Sequence, residues 1–418
     1  MKYIVVLGDG MADYPVPELE NKTPLQAAYK PNMDFLAANG ESGLVKTIPL
    51  TLHPGSDVAN LSVLGYDSEK YYTGRSPLEA ASMGITLSET DVAFRTNLVT
   101  ISVAENYEDR IMLDHSSDEI TTEEARLLID EVNRHFKNDF LAFHTGVSYR
   151  HCMLWKKGPL GFEFIAPHDI LDKKIASYLP KGKHSKTILD MMEQSTRFLS
   201  KHPVNLDREN RGLRPANSIW IWGEGKKPAI PSFYEKFGLR GSIVSEVDLV
   251  KGIGIYAGME VIDVEGATGN IHTNYVGLAE AALQALDAGR DFVYLHIEAP
   301  DECGHRYEIE NKVKSIELID EKVIGTLLYG LKRYDDYKIL VLPDHPTPLS
   351  LRTHTRDPVP YALYQKSKAK RGTISCYDEF SAMKSGMVFR NGEALMSFFV
   401  GQAEREKAAL IPATMTTI

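Results

Sequence analysis

The sequence predicts an α/β protein: a doubly wound, mostly parallel sheet carrying an inserted smaller α+β domain. Three observations predict it. Continuous apolar runs at residues 3–7, 292–297 and 339–342 read as strands buried on both faces. Residues 219–342 alternate such runs with helical stretches and short loops, which is the rhythm of βαβ units. From about Asp91 the texture changes to strands separated by long capped helices. At 418 residues the chain exceeds the size at which a single core stops growing. Residues 1–91 and 215–418 are therefore expected to form the core, and residues 92–214 the insert.

Taken in order, strand 3–7 ends in Gly8-Asp9-Gly10, whose glycines free the carboxyl end of the strand to expose Asp9. In open α/β sheets that end binds ligands, although Asp9 could equally serve the turn. Thr23 and Pro24 start a helix that runs to residue 38 with a break near Pro31, and a short strand follows at 42–45. Pro54-Gly55 precedes Ser56, and an apolar stripe of Val58, Leu61 and Leu64 is stopped by Gly65. Ser56 thus sits at a helix start. It is either an ordinary cap or a hydroxyl held where open N–H groups and the helix dipole can take a phosphoryl oxygen. Arg75 stands just before a helix entered at Pro77, as an anion contact or as a surface ion-pair partner.

The insert reads as strand 94–101, helix 121–136, strand 147–155, helix 183–199 ended at His202-Pro203, and a charged, turn-rich segment 204–215. The core then resumes with strands 219–222, 242–244, 260–264, 292–297 and 339–342. Helices 231–237, 248–256, 274–288 and 312–329 lie between them.

Composition narrows the function classes. The net charge of −10 argues against a nucleic-acid partner, which normally demands a basic face. No stretch of ~18 apolar residues and no signal-peptide pattern occurs, so no membrane partner is expected. Cys152, Cys303 and Cys376 are too scattered for a disulfide framework or a cysteine zinc site, and they suit a reducing cytoplasm. A Walker-type phosphate loop is missing.

The chemistry gathers after strand ends. Strand 292–297 runs into Glu298 through His305, which includes Asp301. Strand 339–342 runs into Asp344-His345, and His354 follows. With Asp9 and Ser56 these supply three carboxylates, three imidazoles and a hydroxyl. That mixture suits two divalent ions, manganese, zinc or magnesium, able to make a serine hydroxyl a nucleophile for phosphoryl transfer.

Gly8-Asp9-Gly10-Met11, residues 54–66, 72–82 and 298–305, and the run LPDHPTPLSLRTHTRDPVP closely resemble the cofactor-independent phosphoglycerate mutases of the archaeal-type branch, in the alkaline phosphatase superfamily. The likeness continues through the insert at residues 146–151 and 214–220. It implies an alkaline phosphatase-like core in which Asp9, Ser56, Asp344 and His345 hold one metal and Asp301, His305 and His354 the other. It further implies that Ser56 becomes phosphorylated while 3-phosphoglycerate and 2-phosphoglycerate interconvert without 2,3-bisphosphoglycerate. The substrate would be gripped by Arg75, Arg150, Arg214 and Lys251. The insert would close as a lid on hinges near Thr90 and Pro215. The pattern departs at Glu119, where the branch more usually has histidine; His115 could take over that role or cap the next helix. The competing readings are a metal-dependent phosphohydrolase, a homoserine kinase, and a binding protein that metals merely stabilise.

Overall fold

The apolar run at the head of the chain forms the strand Lys2–Gly8, which pairs in parallel with Phe292–Ile297 on one side and Tyr337–Leu342 on the other. Apolar strands side by side need cover on both faces. Helices Pro31–Ala38, Tyr275–Asp287, Ile309–Leu318 and Gly325–Gly330 contribute Leu36, Leu278, Ile316 and Leu327 to one core with Ile4, Val293 and Ile339. The protein is described by a computed structural model for residues 1–372 and 374–402. Among these residues the sheet has eight strands, in the order Val388–Phe389, Glu41–Val45, Val359–Gln365, Tyr337–Leu342, Lys2–Gly8, Phe292–Ile297, Gly241–Val244, Glu260–Ile262. Val359–Gln365 is antiparallel to both neighbours, and the other pairings are parallel. The doubly wound, mostly parallel sheet is thus as expected. Leu7 pairs with Leu342 and Gly8 with Ile297, so the carboxyl ends of the three central strands share one edge.

The second compact unit spans Thr73–Pro228. Val92–Ile101 is its axis, antiparallel to Arg150–Trp155 and to Ser218–Lys226. Leu141–His144 extends the sheet, and Met112–Asp114 pairs with its end. Helices Thr122–Phe136 and Ser185–Leu199 bury Leu128, Ile129, Ile188 and Met192 in a core of their own with Phe94, Leu98 and Trp220.

Three readings of local sequence change. The units divide after Tyr72 and before Ala229, so the boundaries expected at 92 and 214, and the hinges expected near Thr90 and Pro215, fall inside the second unit. The cause is Ser218–Lys226, which continues the antiparallel sheet instead of restarting the parallel one. Helix Ser76–Ser82 goes with it, packing Ala80 against Ala93 and Leu154. An apolar run does not say which sheet it will join. His202-Pro203 begins a helix, Pro203–Asn210, where turns were expected: His202 Nδ1 accepts from the Val204 N–H at 3.3 Å, and Pro203 takes the first helical position. The helix expected at 312–329 is broken by a π-helical stretch, Ile319–Ile324, whose Asp320 accepts from the N–H groups of Asn32 and Met33.

Candidate active site

Ser56 is the first residue of the helix Ser56–Val63, and Gly55 holds the cap position without a side-chain cap. The serine therefore does not cap. Its Oγ lies 3.1 Å from His345 Nε2. The Ala59 N–H returns to the Gly55 carbonyl and the Val58 N–H to Asp57, which leaves the first N–H groups of this turn open at the serine. One turn on, buried Asn60 donates to the Ser56 carbonyl at 2.8 Å and to Asp344 Oδ2 at 2.9 Å, and accepts from the Tyr294 hydroxyl at 2.7 Å. The helix that begins at Ser56 is thereby tied to the strand-end carboxylate.

Asp9, Asp344 and His345 have no exposed surface. Asp344 accepts from the N–H groups of Gly10 and His345, and its Oδ2 is 3.3 Å from His345 Nε2. Asp9 Oδ1 is 3.6 Å from the same nitrogen, while Oδ2 accepts from His296 Nε2 at 2.9 Å. Gly10 has φ +60, and a Cβ there would meet Thr347 Oγ1 at 2.5 Å and Asp301 Cα at 2.8 Å, so the close approach of these loops requires glycine.

Asp301 and His305 lie one turn apart on the helix Ala299–Arg306. Asp301 is 3.2 Å from His305 Nε2 and 3.4 Å from His354 Nε2, and the two imidazole nitrogens are 2.9 Å apart. His305 Nδ1 donates to the Arg352 carbonyl at 2.9 Å, which turns Nε2 toward Asp301 and His354. Thr347 links the two groups: its hydroxyl donates to Asp301, and His345 Nδ1 stands 3.3 Å from it. A buried ion pair holds this loop, with Lys312 donating to Asp13 at 2.7 Å and to the Thr347 carbonyl at 2.8 Å.

The electrostatics follow from burial. Burial, then the charges of Asp344, Glu298 and Asp301, push the Asp9 carboxyl well above its usual range. Burial lowers His296 to about 4 and also lowers His345. His305 is raised to about 9, chiefly by its hydrogen bond to Asp301. Burial opposes the charge of Asp301, but the imidazoles of His305 and His354 outweigh it and hold the carboxyl well below the usual range.

These residues fit divalent metal. Asp9 Oδ1 is buried with no hydrogen-bond partner. Asp301, His305 and His354 each offer a ligand atom within 4.8 Å of the others, as do Asp9, Asp301 and His345. A further triplet of the same kind, Asp9, His296 and Glu298, escaped the sequence reading. So did Asn60 and Thr347, although Asn60 lies four residues after Ser56 on the same helix face, a usable signal.

In the second unit, Arg75 Nε and Arg95 Nε grip the two oxygens of Glu79 at 2.8 and 3.0 Å. Burial works against the Glu79 charge, and Arg95 and Arg75, with Arg150 contributing, outweigh it and lower the carboxyl. Two guanidiniums thus share one carboxylate. His115 packs edge-on against Tyr149, and Thr121, not His115, caps the next helix. Arg214 is engaged elsewhere in the unit, 3.1 Å from Asp114 and 3.6 Å from Asp118. Lys251 belongs to the first unit and pairs with Asp263. Arg95 had no motif to mark it, and Glu79 lay inside the stretch 72–82 without being singled out.

The class of protein is set by this architecture, an α/β sheet with acids and imidazoles gathered at its carboxyl edge. A cofactor-independent phosphoglycerate mutase from Thermoplasma acidophilum shares the fold, with TM-score 0.65 and 27% identity over 97% of this chain and 100% of that one. A Pyrococcus horikoshii protein gives TM-score 0.80 and 29% identity over 97% and 98%. Residues 37–205 match the family described as 2,3-bisphosphoglycerate-independent phosphoglycerate mutase. A Geobacter sulfurreducens relative named as a probable mutase of this kind is 50% identical over 96% of this chain and 100% of its own. One from Methanosarcina barkeri is 49% identical over 96% and 99%. The chain belongs to the 2,3-bisphosphoglycerate-independent phosphoglycerate mutase family, a family of isomerases.

Proposed function

We propose that the chain interconverts 3-phosphoglycerate and 2-phosphoglycerate in the cytoplasm through a phosphoserine on Ser56, without 2,3-bisphosphoglycerate. The observation that carries this reading is the Ser56 hydroxyl, 3.1 Å from His345 Nε2 at the open first turn of a helix. The names of the relatives supply the substrate. Asp9, Ser56, Asp344 and His345 would hold one divalent ion, and Asp301, His305 and His354 another. Ions bound there lower the pKa of an alcohol and offset charge on a transferring phosphoryl group.

The side chains do the rest. Ser56 Oγ gives up its proton and forms the bond to phosphorus as the bond from phosphorus to the glycerate oxygen breaks, that oxygen takes up a proton to become a hydroxyl, and the open N–H groups of the helix hold a phosphoryl oxygen. Glycerate turns, and its other hydroxyl takes the phosphoryl group back, which restores Ser56. Asn60 keeps the helix aligned with Asp344 throughout. Arg75, Arg95 and Arg150 grip the anionic substrate with His115 beside them. Arg214 fixes the loop that bears His115, and Lys251 remains a contact of the first unit. The inserted unit serves as the lid that keeps water from the phosphoserine.

The test is incubation of the full chain with manganese and 3-phosphoglycerate, with and without 2,3-bisphosphoglycerate. The expected result is 2-phosphoglycerate as the main product in both. Free phosphate as the main product would make the protein a phosphohydrolase, and phosphohomoserine formed from homoserine and ATP would make it a kinase.

A further inference from the structure

His168 sits on a short 3₁₀ turn, Pro167–Ile170, between two buried anchors, and its own ring is about half exposed. It is one member of a row of rings. Tyr149 packs edge-on against His115 at 5.5 Å, His115 against His168 at 6.0 Å, and His168 against Trp222 at 5.6 Å. The Arg95 guanidinium lies over the Trp222 ring at 4.2 Å. The platform is rigid: Trp222 Nε1 donates to Asn97 at 3.0 Å, and Asn97 donates to the His115 carbonyl at 3.3 Å.

The two imidazoles at the middle of the row have unused capacity. His115 Nδ1 is buried without a partner, and the nearest carboxylate oxygen to His168 Nε2, on Asp169, is 3.8 Å away, beyond a hydrogen bond. Around them stand Arg75 and Arg95, which share the Glu79 carboxylate, and Arg150, which lies 5.6 Å from the centre of the Tyr149 ring. An excess of positive charge beside two imidazoles with free nitrogens is a receptor for an anion.

We propose that His168 contacts the substrate: with His115 it forms an imidazole pair that hydrogen-bonds an anionic oxygen of the phosphoglycerate held by Arg75, Arg95 and Arg150. This inference rests on the mutase reading for the identity of the anion. In the free protein, burial and the charges of Arg95, His115 and Arg75 lower the His168 pKa, and Asp169 opposes them. An arriving anion favours the protonated ring, so His168 takes up a proton as substrate binds and gains a charge-assisted hydrogen bond.

The experiment compares the full-length protein with His168→Ala and His168→Gln, loaded with manganese. A half-exposed side chain can be removed without opening the core. His168→Ala should raise KM for 3-phosphoglycerate about ten-fold, with a smaller change in kcat, and His168→Gln should recover part of the loss. In parallel, the ring resonances of His168 in wild-type protein should titrate at higher pH when 3-phosphoglycerate is present. KM within two-fold of wild type, or a titration that 3-phosphoglycerate leaves unmoved, overturns the inference. A wild type that shifts the His168 titration yet turns over no substrate would sink the mutase reading and leave the contact standing.

Discussion

Asp9, His296, Asp344 and His345 of the first unit have no exposed surface, whereas Arg75, Arg150, His115 and His168 of the second are all partly open to solvent. In the first set burial opposes the charge of Asp9; in the second the guanidiniums keep their charge at any working pH. Buried acids of that kind call for a counter-charge from outside the chain, while the exposed cations are already charged to receive an anion. The difference teaches a division by burial: the first unit keeps acids and imidazoles dry, and the second keeps cations where an anion can reach them.

The sharpest way to break that division is Ser56→Ala. Turnover measured as 2-phosphoglycerate formation should fall by about a thousand-fold or more, because the substitution removes the hydroxyl that lies at the open helix turn beside His345. Retained turnover would show that the first unit does not house the nucleophile. A smaller effect is expected from the second unit. Arg95→Ala should raise KM for 3-phosphoglycerate by about ten- to a hundred-fold with a lesser loss in kcat, since it removes a bidentate-capable cation that binds rather than reacts. A loss confined to kcat would contradict a recognition role.

The smallest effect concerns stability. His151 is buried in the second unit, accepts from the Gly146 N–H at 3.1 Å, and is lowered by burial to about 3. In the unfolded chain an imidazole titrates near 6.5. Between those values the unfolded state binds more protons, so stability is full above about pH 6.5 and falls as pH drops, by at most about 1.4 kcal/mol per unit. Denaturant unfolding at pH 7 and pH 5.5 should show the loss in wild type and a flatter response in His151→Gln. Equal slopes would mean that this imidazole takes up its proton without unfolding, and that the second unit is not dry there.

The two units also differ in how far they could be read from sequence. Asp9, Asp344 and His345 come within three residues of the ends of buried parallel strands and Asp301 on the helix that follows one, so an apolar run points at each of them, and parallel register then aligns the strand ends along one edge. Arg75, Arg95, Arg150, His115 and His168 come from a helix start, two strands, a loop and a 3₁₀ turn. Only tertiary pairing brings such positions together, and no periodicity records it. The same blindness assigned Ser218–Lys226 to the wrong sheet: Ile219 and Trp220 announce a strand, but the choice of Val92–Ile101 as neighbour is written in the packing. Asn60 and Thr347 were missed because a buried polar residue among apolar neighbours looks like any other until its partner is seen.

If the Ser56 hydroxyl takes phosphate from the substrate, trapping reveals it directly. Manganese-loaded protein mixed with 3-phosphoglycerate, quenched in acid within a turnover and mapped by peptide mass, should carry a phosphoryl group on the peptide containing Ser56 and lose it in Ser56→Ala. Full mutase turnover with that peptide unmodified would contradict phosphoryl transfer through Ser56.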